Sequence, residues 1–293
     1  MNKHPQRDVS VSVQPQAIGV SGERGLLSRC PGLPGLELLS ADFKLHAYAP
    51  HWHDAYTIAL VPKGCEVVQI KGERRQIARG DVALLNPGEI HDGSAFDAEI
   101  GWQFRVFYID FEALHALDAD FGTTHKPARS FDVFVIHDPL LSDQLLQVHH
   151  GLSDAQSVLK GSSILFAGLR GLLERTRFRN IPNESTSAPP ALERARQYLD
   201  AHWDQAVTLE ELATQAGLSR FHLLREFKKR FGVPPHAYQL QRRIFHAKEL
   251  LFQGMRPGDV ALESGFFDQA HFSHVLKRYV GVSPGRISSG SER

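Results

Sequence analysis

Residues 208–232 read TLEELATQAGLSRFHLLREFKKRFG, two helical segments turned about a single glycine. Thr208 stands at the N-cap of the first with Glu211 three residues on, the capping-box spacing in which each side chain satisfies an exposed backbone N–H of the first turn. That helix closes at Gly217, and after a turn of about three residues Ser219 caps the second. A short helix, a tight glycine-containing turn and a longer helix make a helix-turn-helix, whose second member is the one offered to the DNA major groove. Leu223, Phe227 and Phe231 recur at four-residue spacing and predict a core stripe, whereas Phe221, Leu224, Arg225 and Lys228 lie on other sides. Basic side chains there suit a groove lined by phosphates and base-edge acceptors. In one helix taken alone, a solvated charged face would read the same way.

The arrangement recurs downstream. Pro257 to Ser264 reads as a second short helix, Gly265 opens its turn, and DQAHFSHVLKRYVG (268–281) follows with Asp268 as N-cap. Phe272, Leu276 and Tyr279 form its core stripe, and Gln269, Ala270, Ser273, His274 and Lys277 the opposite side. Between the units, PPHAYQLQRRIFHAKELLFQG (234–254) carries Ala237, Leu240, Ile244, Ala247 and Leu251 on one helical stripe. About 19 residues of helix give roughly 28 Å of spacer, near the ~34 Å repeat of B-DNA, which predicts that the two reading helices enter successive major grooves.

These residues carry a resemblance. TLEELATQAGLSRFHLLREFKKRFGVPPHAYQLQRRIFHAKELL (208–251) followed by GDVALESGFFDQAHFSHVLKRYVGVSP (258–284) resembles the AraC/XylS DNA-binding domain over about residues 192–287, with the GF-x-D-Q-x-H-F-S-x-x-x-K run and the closing G-V-S-P as hallmarks. The resemblance implies double-stranded DNA as partner, contacted by Arg220, Phe221, Leu224 and Arg225 of the first unit and by Gln269, Ala270, His271, Ser273 and His274 of the second. The faces read above add Lys228 and Lys277. His274 departs from the family pattern, in which an arginine is common there; an imidazole cannot make a bidentate guanine contact.

The chain has 293 residues, long enough for two domains. Its 33 Lys and Arg balance 33 Asp and Glu, but residues 191–293 hold 15 basic against 11 acidic side chains, which points to an anionic partner for that part. No run approaches the roughly 18 apolar residues of a membrane span, and MNKHPQRDVSVSVQPQ is too polar for a secretory segment, so a cytoplasmic protein with no membrane contact is expected. Cys30 and Cys65, without a CxxC, read as two reduced thiols.

Residues 1–35 read as a loosely ordered N-terminal segment. From about 36 to 110 come strand-like runs (LELLSADFKLHAYA, YTIALV, CEVVQI, RRQIA, DVALLN, IGWQFRVFYID) separated by Pro62-Lys63-Gly64, Lys71-Gly72-Glu73, Arg79-Gly80-Asp81 and Asn86-Pro87-Gly88, which predicts a small antiparallel barrel or sandwich. Leu141, Leu145, Leu146 and Val148, then Ile164, Leu165, Leu169, Leu172 and Leu173, predict a hairpin of two amphipathic helices. NIPNESTSAPP, 180–190, reads as a linker, and 191–293 as the double helix-turn-helix domain. The family plan implies that 36–179 is a cupin-like effector-binding and dimerisation domain with that hairpin. The fold class expected is thus a mostly-β barrel followed by an all-α domain.

PHWHDAY (50–56) and RGDVALLNPGEIHDG (79–93) carry the barrel's chemistry. Period-2 geometry puts His51 and His53 on one face of a strand, a natural start for a metal site. A metal-binding cupin adds a glutamate four or five residues after the second histidine and a third histidine from a later strand. His91 can be that third, but Thr57 and Ile58 stand where the glutamate would be. Three neutral imidazoles can still hold zinc, so His51, His53 and His91 are a divalent-metal set beside the alternative of a small-molecule pocket or a hydrogen-bonding role; no other cofactor is expected. Pocket candidates are His51, Trp52, His53, Tyr56, His91, Arg105 and Tyr108. Arg105 suits an effector carboxylate, or simply an exposed ion pair. No GxSxG, P-loop or CxxC supports catalysis. The function expected is a transcriptional regulator, an activator rather than a repressor, acting as a homodimer with RNA polymerase under control of a small effector such as an amino acid or sugar. The alternative is a metal-binding cupin, a metal sensor or an enzyme, fused to a DNA-binding domain.

Overall fold

Alternating side chains along β4 (Tyr56–Ile70) explain why the strands read as unbroken apolar runs. Ile58 and Leu60 enter one buried layer while Ala59 and Val61 enter another, and Val82/Ala83 and Leu38/Leu39 divide the same way. The sheet is buried on both faces, so neither parity needs to be polar. The computed structural model describes residues 23–30, 33–114, 129–153, 168–169, 171–172, 178–180 and 188–289.

The other strands are β1 (Arg24–Arg29), β2 (Leu36–Phe43), β3 (Ala47–His51), β5 (Glu73–Ala78), β6 (Asp81–Leu85), β7 (His91–Ala95), β8 (Trp102–Ile109), β9 (Arg129–Phe131), β10 (Val135–His137), β11 (Phe178–Asn180) and β12 (Ile287–Ser288). The main ladder runs β10-β6-β4-β8-β2-β1-β12, and the second half of β4 pairs instead with β5 and β7, with β3 beyond β7. β4 thus belongs to both walls of a half-barrel. Two expectations need correction. Pro62-Lys63-Gly64 does not turn the chain; the strand continues through it with a register shift between Leu60 and Lys63 where it passes from one wall to the other. Nor is all of 1–35 loosely ordered: Arg24–Arg29 pairs antiparallel with β2 and parallel with β12. A strand held by the far end of the chain leaves no local periodicity to read. Residues 1–22 lie outside those described.

Helix α1 (Pro139–Ser153) lays Leu141, Leu145 and Val148 over the outer sheet layer, as its stripe predicts. Its partner in the predicted hairpin falls mostly outside the described residues, although Leu169 and Leu172 are buried in the same layer. Within α1, His149 is buried edge-on to Phe107, with Nε2 3.3 Å from the Val106 carbonyl. Burial, aided by the Arg105 charge, lowers its pKa to about 4. Below pH 6.5 the unfolded imidazole takes up a proton that the folded one refuses until about pH 4, so stability falls as pH drops through that window, by about 3 kcal/mol for this group. Thermal-unfolding midpoints measured from pH 7 to 4 are expected to fall, and to fall less steeply in His149→Leu.

Six helices follow: α2 (Pro190–Ala201), α3 (Leu209–Ala216), α4 (Arg220–Phe231), α5 (Pro235–Phe252), α6 (Pro257–Glu263) and α7 (Gln269–Val280). Pro190 opens α2 at the position where a missing N–H costs nothing. The predicted caps form: Thr208 accepts from the Glu211 N–H, Ser219 from His222 and Asp268 from His271. The capping box is only half made, because the Glu211 carboxylate accepts from the Tyr198 hydroxyl of α2. Leu223 and Phe227 join Leu212, Ala213 and Leu199 in one core, and Phe272, Leu276 and Tyr279 join Ile244, Ala247 and Val260 in another, with α5 shared between them. Cys30 and Cys65 are free thiols. No described helix is long and apolar enough to cross a membrane.

Candidate functional site

The reading faces are exposed. On α4, Arg220, Phe221, Leu224, Arg225 and Lys228 all stand in solvent, Phe221 at 84% exposure. Arg220 is braced by Glu210 at 3.3 Å, and Arg225 by Glu226 at 3.0 Å and His222 at 3.3 Å. On α7, Gln269, Ala270, His271 and His274 are exposed and Ser273 half-buried. Lys277 departs from the set: its ammonium lies 3.5 Å from the Glu23 carboxylate, on the side turned to the β domain. Phe267 escaped the sequence reading. At 89% exposure just ahead of α7 it places a bare ring beside Gln269, as Phe221 does beside Arg220, and such rings suit thymine methyl groups.

α5 does more than space the two units. Arg243 donates Nε–H to the Trp203 carbonyl, Nη1–H to Gly265 and Nη2–H to Gln205, each at 2.7 Å. Gln239 Nε2 donates to the His202 and Gln205 carbonyls at 2.8 Å. One guanidinium therefore joins the turn before α3 to the turn before α7, fixing the second reading helix relative to the first. Nothing in the apolar stripe of α5 reveals this, because the acceptors are backbone carbonyls distant in sequence.

Inside the half-barrel, β3 and β7 are antiparallel partners with His51 opposite His91. The His51 ring centroid lies 4.3 Å from His91 and 4.8 Å from His53, which lies 5.1 Å from His91 and 4.6 Å from Tyr108. His51 Nδ1 is 2.8 Å from the Ala49 carbonyl and His91 Nδ1 2.9 Å from that of Glu89, which sets the ring orientations. Burial holds all three imidazoles below their ordinary range, and the neighbouring imidazoles lower those of His51 and His53 further. They line a cavity of about 20 Å³ with Tyr108, Tyr48, Thr57 and Glu66. Four of the seven pocket candidates thus come together, and three do not. Trp52 points the other way, since the parity that turns His51 and His53 inward turns it out. Tyr56 packs in the outer layer edge-on to Phe131. Arg105 donates Nη1–H to the Phe104 carbonyl at 2.8 Å and the Ala41 carbonyl at 3.1 Å, beside Asp42. The acid that sequence could not place is Glu66, further along β4, whose carboxyl burial pushes up to about 8.

The outer side of the same two strands carries the helices. Trp52 stacks on Tyr238 of α5 at 5.0 Å and meets Phe245 edge-on at 5.7 Å, and Gln241 Nε2 donates to its carbonyl at 3.3 Å. Both reading helices end in a left-handed glycine: Gly232 caps α4 at φ 75° and Gly281 caps α7 at φ 86°. A side chain at either would also strike the β domain, at 2.7 Å from Ile90 in the first case and at the Tyr48 hydroxyl in the second. So the β3–β7 ladder presents histidines inward and seats the C-terminal ends of both reading helices, leaving their N-terminal ends free. Further ties run from Lys248 of α5 to Glu37 (2.7 Å) and from Arg29 to Glu249, with the Arg29 guanidinium 4.1 Å over Phe252. An open cleft of about 730 Å³ lies between the domains, with Pro50, Trp52, Ile90, His91, Lys229 and Arg230 in its walls.

Two helix-turn-helix units with exposed reading faces, seated on a half-barrel that encloses a histidine-lined cavity, define a DNA-binding regulator with a ligand-binding domain. Comparison with known proteins agrees: residues 33–169 match the AraC-like ligand binding domain and residues 212–289 a helix-turn-helix domain. An uncharacterised HTH-type transcriptional regulator of Bacillus subtilis, YbfI, is 30% identical, covering 81% of this chain and 86% of its own. The arabinose operon regulatory protein of Escherichia coli is 28% identical over 81% of each chain. A crystal structure of wild-type ToxT from Vibrio cholerae with an unsaturated fatty acid bound shares the fold, with a TM-score of 0.55 at 16% identity over 86% of this chain and 94% of that one. The chain belongs to the AraC family of transcriptional regulators.

Proposed function

We propose that the chain is a ligand-controlled transcriptional activator that binds its operator with α4 and α7, acts as a homodimer on RNA polymerase, and works in the cytoplasm without catalysing a reaction. The observation that carries the control is the two-sided β3–β7 ladder, because an occupant that favours one arrangement of His51 and His91 favours one seating of both reading helices. Ligand size divides between two places. The interdomain cleft of about 730 Å³ has room for an amino acid or sugar, whereas the histidine cavity of about 20 Å³ has room for a water or an ion. The 18-residue α5 spans roughly 27 Å and supports placement of the reading helices in successive grooves. Footprinting the full chain on a duplex selected from random sequence tests the reading. Each protomer should protect two major-groove patches one turn apart, with Arg225→Ala weakening binding by about 1–3 kcal/mol and relaxing preference within one patch. Transcription in vitro should rise with the protein. Unchanged affinity and preference in Arg225→Ala, or no selected sequence, would overturn it.

A further inference from the structure

The histidine cavity has more built into it than a general effector pocket requires. His51, His53 and His91 are the described residues whose ligand atoms gather, all within 4.8 Å of one another. A tetrahedral zinc site with bonds of about 2.1 Å has its ligands roughly 3.4 Å apart, so the set has to draw in by at most about 1.4 Å to reach that spacing. Two of the rings already place Nδ1 on backbone carbonyls, the outer interaction that fixes the tautomer of metal-ligating histidines and leaves Nε2 for the ion. Two other polar atoms around the same cavity, Glu66 Oε2 and Thr57 Oγ1, are buried with no hydrogen-bond partner among the described residues. Orphaned buried polar groups around about 20 Å³ call for an occupant the size of one water or ion.

We propose that His51, His53 and His91 bind one divalent transition-metal ion, of the zinc or cobalt type, in the half-barrel of this regulator. Imidazole donors select such ions over magnesium or calcium, which take oxygen ligands. Three histidines leave one coordination position to a small ligand or water, and Glu66 and Tyr108 line the space beside it. The carboxylate that Thr57 and Ile58 fail to supply after His53 is not needed for binding, and Glu66 brings an acid to the cavity from elsewhere on β4. Ion binding in itself is independent of the function proposed above; only its regulatory meaning rests on that reading.

The full chain, stripped with chelator, is titrated with Co²⁺ followed by visible absorption, then with Zn²⁺ in competition, with stoichiometry from elemental analysis. One ion per chain is expected, with four-coordinate cobalt absorption that Zn²⁺ abolishes. His53→Ala and His91→Ala should each weaken binding about a hundredfold or more, while His137→Ala, an exposed histidine paired with Asp81, should bind as the wild type does. Folding of each variant is checked by circular dichroism, and His53→Gln or His91→Gln replaces one that fails. Absence of stoichiometric binding, or binding that survives both cavity substitutions, overturns the proposal. Neither result touches operator binding, which is measured separately.

Discussion

Trp52→Ala is expected to cost about 3–5 kcal/mol and to split one unfolding transition into two. The magnitude is that of deleting a packed tryptophan. Trp52 is only 6% exposed, and its ring is closed in by Tyr238 and Phe245 of α5. Its indole N–H also donates to Asp54 at 3.2 Å, and Asp54 in turn pairs with Arg242 of α5 at 3.3 Å. The deletion therefore removes the aromatic centre of the domain contact while the outlying ion pairs, Lys248 with Glu37 and Lys277 with Glu23, stay. Each sets a part-buried lysine against a largely buried carboxylate at the edge of the contact, and neither replaces the lost aromatic packing. Denaturant unfolding followed separately by helical and aromatic signals checks this. Coincident curves in the wild type should separate in the variant, and Trp52→Phe should keep most of the coupling.

The second large effect is expected at Arg243. Arg243→Ala removes three charge-assisted bonds to backbone carbonyls, of which that of Gln205 keeps Gln239 Nε2 as a donor. The guanidinium is half-buried, so a loss of about 3 kcal/mol for the group of three is the reasonable size. Arg243→Lys should recover little, because an ammonium cannot span three divergent acceptors. The effect on DNA should be distinctive. With the turn before α7 no longer tied to the turn before α3, the footprint should keep one strong patch and lose the other. Uniform weakening of both patches would mean that Arg243 contributes stability alone.

What could be read in advance depended on whether a residue's partners are near it in the chain. Thr208, Gly217, Ser219 and Asp268 act on backbone within a turn or two, so their roles were legible. The stripes on α4 and α7 followed from 3.6-residue periodicity for the same reason. β1 was not legible, since it is held by β12 from the other end of the chain. Arg243 and Glu66 escaped too, one pairing with remote carbonyls and the other reaching the cavity from the second half of β4. Trp52 is the instructive case. Strand parity already placed it opposite His51 and His53, which excludes it from their pocket; only its aromatic partners on α5 required the fold. The histidine trio lay between these extremes, since parity joins the first two and the pairing of β3 with β7 brings His91 across from His51.

Operator affinity of the full chain, titrated with and without saturating Zn²⁺ in the wild type and in Trp52→Ala at a temperature where both are folded, tests most directly whether the cavity speaks to the reading helices through β3 and β7. Zinc should shift the wild-type affinity about tenfold or more, a typical coupling between linked sites, and leave the variant unmoved. Zinc bound at the three histidines with no change in wild-type affinity, or an equal change in both proteins, would contradict it.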